Sequence, residues 1–168
     1  VVDSRSGAPN DACALVAQAS TSQVTDIPSR PGVTQRILVI TPDKPKAAVI
    51  LFAGGDGGLT LETDGRIPKL SGNFLVRSRQ LFVEQGLTTV VIDAPSDKQS
   101  YPFLSGYRQT DDHVADVKAV IAWLRQQSKI PVWLIGTSRG TQSAAHVATR
   151  LPAADGGPTS DQSIHSAL

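Results

Sequence analysis

The chain has 168 residues, 40% of them hydrophobic and 18% charged, a balance that suits a globular domain and excludes a disordered chain. Sixteen basic and 15 acidic side chains leave a formal charge of +1, which argues against a basic nucleic-acid surface or a polybasic membrane patch. No apolar run approaches the roughly 18 to 20 residues that span a bilayer, and one cysteine, Cys13, excludes an intrachain disulfide and a zinc knuckle.

The length fits a single domain over residues 1–168, able to bury about 68–70% of its unfolded surface. The chain starts at Val1 without a charged stretch followed by an apolar core, so no signal peptide is legible. A processed mature chain and a trimmed one both fit. Compartment is therefore open, with secretion or periplasmic export after signal removal one option.

Residues 1 to about 31 are polar and weakly patterned, with a short outer strand expected at 22–27. Residues 35–41 (QRILVIT) read as a strand closed by Pro42-Asp43 and Pro45. Residues 47–53 (AAVILFA) are continuously apolar and run into Gly54-Gly55-Asp56-Gly57-Gly58. Such a run suits a strand buried on both faces, as in parallel sheets. A helix is expected over 73–85, capped by Asn73, stopped by Gly86, with Phe74, Leu81 and Phe82 on its apolar face.

A second buried strand follows at 88–93 (TTVVID), then a loop over 94–109. Thr110 opens a helix with Asp111 and Asp112 in its first turn, where the dipole favours acids. Its stripe is Val114, Val117, Ile121 and Leu124. Residues 132–135 (VWLI) form a third buried strand, and a last helix starts near Ser138 with Ala144, Val147, Ala148 and Leu151 on one face. Alternating strands and helices imply βαβ units and a mostly parallel sheet flanked by helices. The tail from Pro152 to Leu168 carries no strand signal.

Gly136-Thr137-Ser138-Arg139-Gly140 matches G-x-S-x-G between that third strand and the last helix. The five residues alone are a weak signal; the strand–turn–helix setting strengthens them. Ser138 must sit in a tight turn that lifts Oγ above the sheet, so its neighbours at 136 and 140 need little bulk. The following helix offers unpaired N–H groups to an anion forming there. The Arg139 N–H is one oxyanion donor. A second is expected from the glycine loop after residues 47–53, at Gly55 first and Asp56 second.

Two such elements, with the segments LFAGGDGGL, GNFLVRSRQLF, DAPSD, HVADVKAVIAWLR and PVWLIGTSRGTQSAAHVA, resemble the α/β-hydrolase superfamily, in particular a bacterial group of small serine hydrolases. The resemblance covers about residues 30–152. It implies an α/β-hydrolase-like fold, with Ser138 as nucleophile and the glycine loop with Arg139 as oxyanion hole. In that superfamily an acid and a histidine follow the nucleophile on loops after later strands. Only 30 residues follow Ser138, so the matching positions are absent from this chain. Three readings stay open: a C-terminally truncated chain; an unusual triad of Asp155 or Asp161 with His165; a retained fold without catalysis.

The truncated reading leaves Val132–Ile135 as an exposed apolar edge, which invites a homo-oligomer paired through that strand. His113 is expected as a cap or surface residue and His146 on a solvated face; no histidine pair has metal-ligand spacing. The glycine loop lacks the Lys-Ser/Thr of a P-loop, and Thr60 stands where G-x-G-x-x-G needs its third glycine. Asp93 and Asp97 suit capping. Tyr101, Phe103 and Tyr107 either wall an acyl site or anchor a surface loop. The expected activity is cleavage of a small-molecule carboxylic ester through an acyl-enzyme on Ser138, with neither cofactor nor metal required. Esters are preferred over amides because no peptide-binding feature is legible. The alternative is a catalytically impaired binding or assembly module that keeps the elbow as scaffold.

Overall fold

The computed structural model describes residues 19–151 and the strand at 164–167. Six strands form one sheet: β1 (Ser20–Arg30), β2 (Val33–Pro42), β3 (Ala47–Phe52), β4 (Leu87–Pro95), β5 (Val132–Gly136) and β6 (Ile164–Ala167). Their order across the sheet is β1-β2-β4-β3-β5-β6. The first two pairings are antiparallel and the remaining three parallel. The helices are α1 (Phe74–Glu84), α2 (Asp111–Gln127) and α3 (Gly140–Arg150).

β3 is buried along its whole length, and its alternation feeds two separate cores. Ala48, Ile50 and Phe52 pack with Val114, Val117 and Ile121 of α2 and with Ala144 and Val147 of α3. Val49, Leu51 and Ala53 pack on the opposite face with Leu75, Val76 and Val83 of α1. Successive side chains of a strand point to opposite faces, so an unbroken apolar run needs helices on both. The result is a three-layered sandwich, and the expected α/β fold class is found.

The expected stripes of α2 and α3 are the ones that pack against the sheet. The face expected for α1 is corrected. Phe74 and Leu81 are 57% and 61% exposed, whereas Leu75, Val76 and Val83 are buried; of the expected face only Phe82 packs, partly buried, against that core. The helix carries apolar residues on more than one side, and only docking against the sheet selects between them.

Two expectations about the tail are also corrected. Residues 164–167 do form a strand, and it pairs in parallel with β5 from Val132↔Ile164 to Ile135↔Ala167. The edge at Val132–Ile135, expected to be open to a second copy, is thus covered by the chain's own β6. Four residues of mixed character (IHSA) are too short to carry a period-two signal. Cys13 lies outside the described residues, and among the described residues no helix is long and apolar enough to cross a membrane.

Candidate active site

Parallel register sets the site. Ala48 pairs with Val132 and Phe52 with Gly136, so β3 and β5 end level with one another. The glycine loop after β3 and the turn after β5 therefore emerge side by side. They are joined directly by a hydrogen bond from Thr137 N to Phe52 O at 3.3 Å.

The turn between β5 and α3 is sharp. Ser138 has φ of +53°, a left-handed conformation that non-glycine residues rarely hold and that costs of the order of 1–3 kcal/mol. Its side chain is exposed. The flanking glycines are sterically required: a Cβ on Gly136 would strike Gly140 O, and a Cβ on Gly140 would strike Phe52 O. Gly140 N donates to Thr137 O at 2.8 Å, and Thr141 N and Oγ1 both donate to Ser138 O, at 3.0 and 2.7 Å. These bonds use the turn's carbonyls. The Arg139 N–H has no acceptor among the described residues.

The glycine loop lies against this turn. A Cβ on Gly54 would lie 2.9 Å from Thr137 O, 3.0 Å from Ser138 Cβ and 3.3 Å from Asn73 Nδ2. Gly55 follows, exposed, at φ of +62°. Asp56 turns the chain: its Oδ1 accepts from Gly58 N at 3.1 Å and its carbonyl from Leu104 N at 2.8 Å. No acceptor among the described residues meets the Gly55 or Asp56 N–H. The structure thus brings Ser138, the glycine loop with Gly55 and Asp56, and Arg139 into one neighbourhood.

Two buried side chains hold that loop, and only one was anticipated. Asp93, at the end of β4, accepts from Leu59 N at 2.7 Å, Leu61 N at 2.8 Å and its neighbour Ala94 N at 2.7 Å. This is the capping role expected for it. Asp97 pairs instead with Arg30 at 2.9 Å.

Arg108 was not singled out from the sequence. It is 3% exposed, and its guanidinium donates to Ala53 O at 2.9 Å, Gly55 O at 3.4 Å and Ser143 Oγ at 2.9 Å. One side chain therefore links the glycine loop to α3. Burial pushes Arg108 down to about 10, with Asp56 opposing that drop and Arg139 adding to it, so it remains a cation at neutral pH. In a trans peptide the C=O and N–H point in opposite directions. Pinning Gly55 O inward therefore turns the Asp56 N–H outward. The sequence offered only an arginine beside Tyr107 in a loop that also carries Ser96, Asp97, Lys98 and Gln99, which by itself reads as surface.

The aromatic loop divides. Tyr101 is 86% exposed, while Phe103 and Tyr107 are buried. Phe103 sits where a Cβ on Gly58 would fall, so it is an anchor under the glycine loop. Tyr107 donates to Asp116 Oδ2 at 2.7 Å. Desolvation, then the Asp116 hydrogen bond, raises its phenol well above the ordinary range. Asp116 is fully buried and also accepts from Ser29 Oγ at 2.5 Å and Arg30 Nε at 2.9 Å, which ties α2 to β1.

The histidines differ from expectation. His113 is 1% exposed, packed edge-on against Phe52 and Tyr107, and is no surface residue. Desolvation first, then the positive charge of Arg108, pushes it down to about 4. His146 is half-buried, with Nδ1 3.0 Å from Arg150 Nη1. The backbone of His165 stands opposite Trp133, three residues before the Gly136 end of β5. That is about 10 Å back along the strand. Asp155 and Asp161 lie outside the described residues. Among the described residues no hydrogen bond joins a histidine to Ser138, and no cluster of three or more metal-ligating side chains is found.

No protein-family model matches the chain, and no curated protein is significantly similar to it in sequence. Solved structures are similar in fold. A PEG-bound cold-adapted esterase from an Arctic intertidal metagenomic library superposes with a TM-score of 0.56 at 15% identity, over 80% of this chain and 57% of its own. An esterase of Pyrococcus furiosus gives 0.56 at 17% identity, over 78% and 47%. An α-amino acid ester hydrolase gives 0.52 at 20% identity, over 84% and 26%. At these identities the likeness establishes the shared α/β-hydrolase fold. The chain spans about half the length of the two esterases.

Proposed function

We propose that this chain carries the nucleophile and oxyanion-binding part of a serine hydrolase acting on small-molecule carboxylic esters. Ser138 Oγ attacks the ester carbonyl, and the carbonyl π pair moves onto oxygen. A histidine base takes the Ser138 proton and passes it to the departing alcohol. Water then releases the acyl group as the acid and restores the serine. The N–H groups of Gly55, Asp56 and Arg139 receive the oxyanion, and losing one such donor typically costs about 10²–10³ in kcat.

One observation carries this reading. An exposed serine is held at positive φ between two glycines that cannot bear a Cβ, beside N–H groups with no acceptor among the described residues. A strained, sterically over-determined hydroxyl is costly to maintain unless it acts.

The test is stoichiometric labelling of the full-length protein by a fluorophosphonate, with turnover of a short-chain aryl ester measured beside it. One label per chain on Ser138, lost in Ser138→Ala together with turnover, is the expected result. The second reading, a binding or assembly module that keeps the elbow as scaffold, draws on the absence of a histidine hydrogen-bonded to Ser138 among the described residues. Failure of the fluorophosphonate to label the intact protein would favour it.

A further inference from the structure

Asn73 caps α1: its side-chain Oδ1 accepts from Leu75 N at 3.2 Å. That bond fixes which end of the amide is which, because a backbone N–H can only be met by the oxygen. The Nδ2 end is therefore turned away from the helix. It lies within 3.3 Å of the same point beside Gly54 that Ser138 Cβ approaches to 3.0 Å. Among the described residues nothing accepts from Nδ2. Asn73 is half-buried, and its backbone is held by the bond from Asn73 N to Leu70 O at 2.8 Å.

We propose that Asn73 is a catalytic residue: its Nδ2–H donates to the acyl oxygen as Ser138 attacks, a side-chain donor beside the backbone donors at Gly55, Asp56 and Arg139. The proposal rests on the hydrolase reading given above. A capped helix terminus is a good mount for such a group. The cap orients the amide before substrate arrives, so no reorganisation is required when charge develops on the oxygen. The amide suits both roles, since one end accepts and the other donates. Aspartate and glycine also serve at an N-cap but present no side-chain donor.

The substitutions Asn73→Gly and Asn73→Asp separate these roles. Each is made in the full-length protein and read by thermal melting, by the rate of fluorophosphonate labelling at Ser138, and by kcat and KM for a short-chain aryl ester. The expected result is melting within a few degrees of the parent, with labelling rate and kcat lower by about 10²-fold and KM little changed. Parent-like labelling in either variant overturns the proposal. So does a fall in rate that merely follows a fall in melting temperature in both variants, which would assign Asn73 to the cap alone. An unlabelled parent protein overturns the nucleophile reading and this one with it. A labelled parent with unaffected variants overturns only the role of Asn73.

Discussion

Arg108 donates to Ser143 Oγ at 2.9 Å, a bond between the loop that precedes α2 and the first turn of α3. The same guanidinium holds Ala53 O and Gly55 O. The two halves of the candidate site, which lie far apart in sequence, thus share one buried cation. The substitution Arg108→Met would leave these acceptors unmet and is expected to cost about 1–3 kcal/mol in urea unfolding. Labelling at Ser138 should slow by at least tenfold. Arg108→Lys should not rescue it, because an ammonium lacks the planar fork that reaches several acceptors at once. Parent-like labelling in Arg108→Lys would show that charge alone is enough.

Asp93 makes a sharper case. Its two oxygens take three backbone N–H groups, with Oδ2 serving Leu61 N alone. Asp93→Asn replaces one acceptor by a donor and leaves a buried N–H unmet. A loss of about 1–3 kcal/mol is expected, with raised hydrogen exchange at Leu59 and Leu61. Unchanged exchange at both amides would remove this carboxylate from the account of the loop.

The elbow glycines test the steric argument. Gly140→Ala drives a methyl into the backbone carbonyl of Phe52, which no rotamer change can relieve. It is expected to cost at least the roughly 1–3 kcal/mol of overpacking and to lower the melting temperature by several degrees. At Ser138 itself the sign reverses. Glycine tolerates φ of +53° without penalty, so Ser138→Gly should be about 1 kcal/mol more stable than Ser138→Ala. Neither variant should take the label.

His113 sets a pH dependence. Its folded-state value is pushed down to about 4 from the ordinary 6.5. Between those values the unfolded chain binds more protons than the folded one, so stability falls as pH falls through that window. Arg108, Asp116 and His146 are the charged and titratable groups that act on it. The full effect is about 3 kcal/mol, present above pH 6.5 and lost by pH 4. His113→Phe should flatten the dependence over that range, measured by urea midpoints at pH 4, 5 and 7. An equally steep decline in the variant would assign the acid sensitivity to other groups.

Much of the architecture was legible in the chain itself. The runs at 47–53 and 88–93 read as strands buried on both faces and are so. The run at 132–135 is a strand as expected but leaves Trp133 37% exposed, a correction to the reading of it as buried. The glycines at 136 and 140 announced a turn too tight for a Cβ. From these the layered α/β fold and the exposed Ser138 followed, because periodicity and steric bulk are properties of neighbouring residues. Asp93 was readable as a cap by its place at a strand end.

What the chain could not disclose were relations between distant residues. β6 pairs with β5 through backbone groups that are the same for every amino acid, so IHSA gave no sign that it covers the Val132–Ile135 edge. The buried face of α1 was decided by docking against the sheet, since apolar residues lie on both of its candidate sides. Arg108, His113 and the Nδ2 end of Asn73 acquired their meaning only when folding removed water from around two of them and set the third beside Ser138. Desolvation and the aim of an amide depend on what surrounds a side chain in space, and sequence order does not encode that locally.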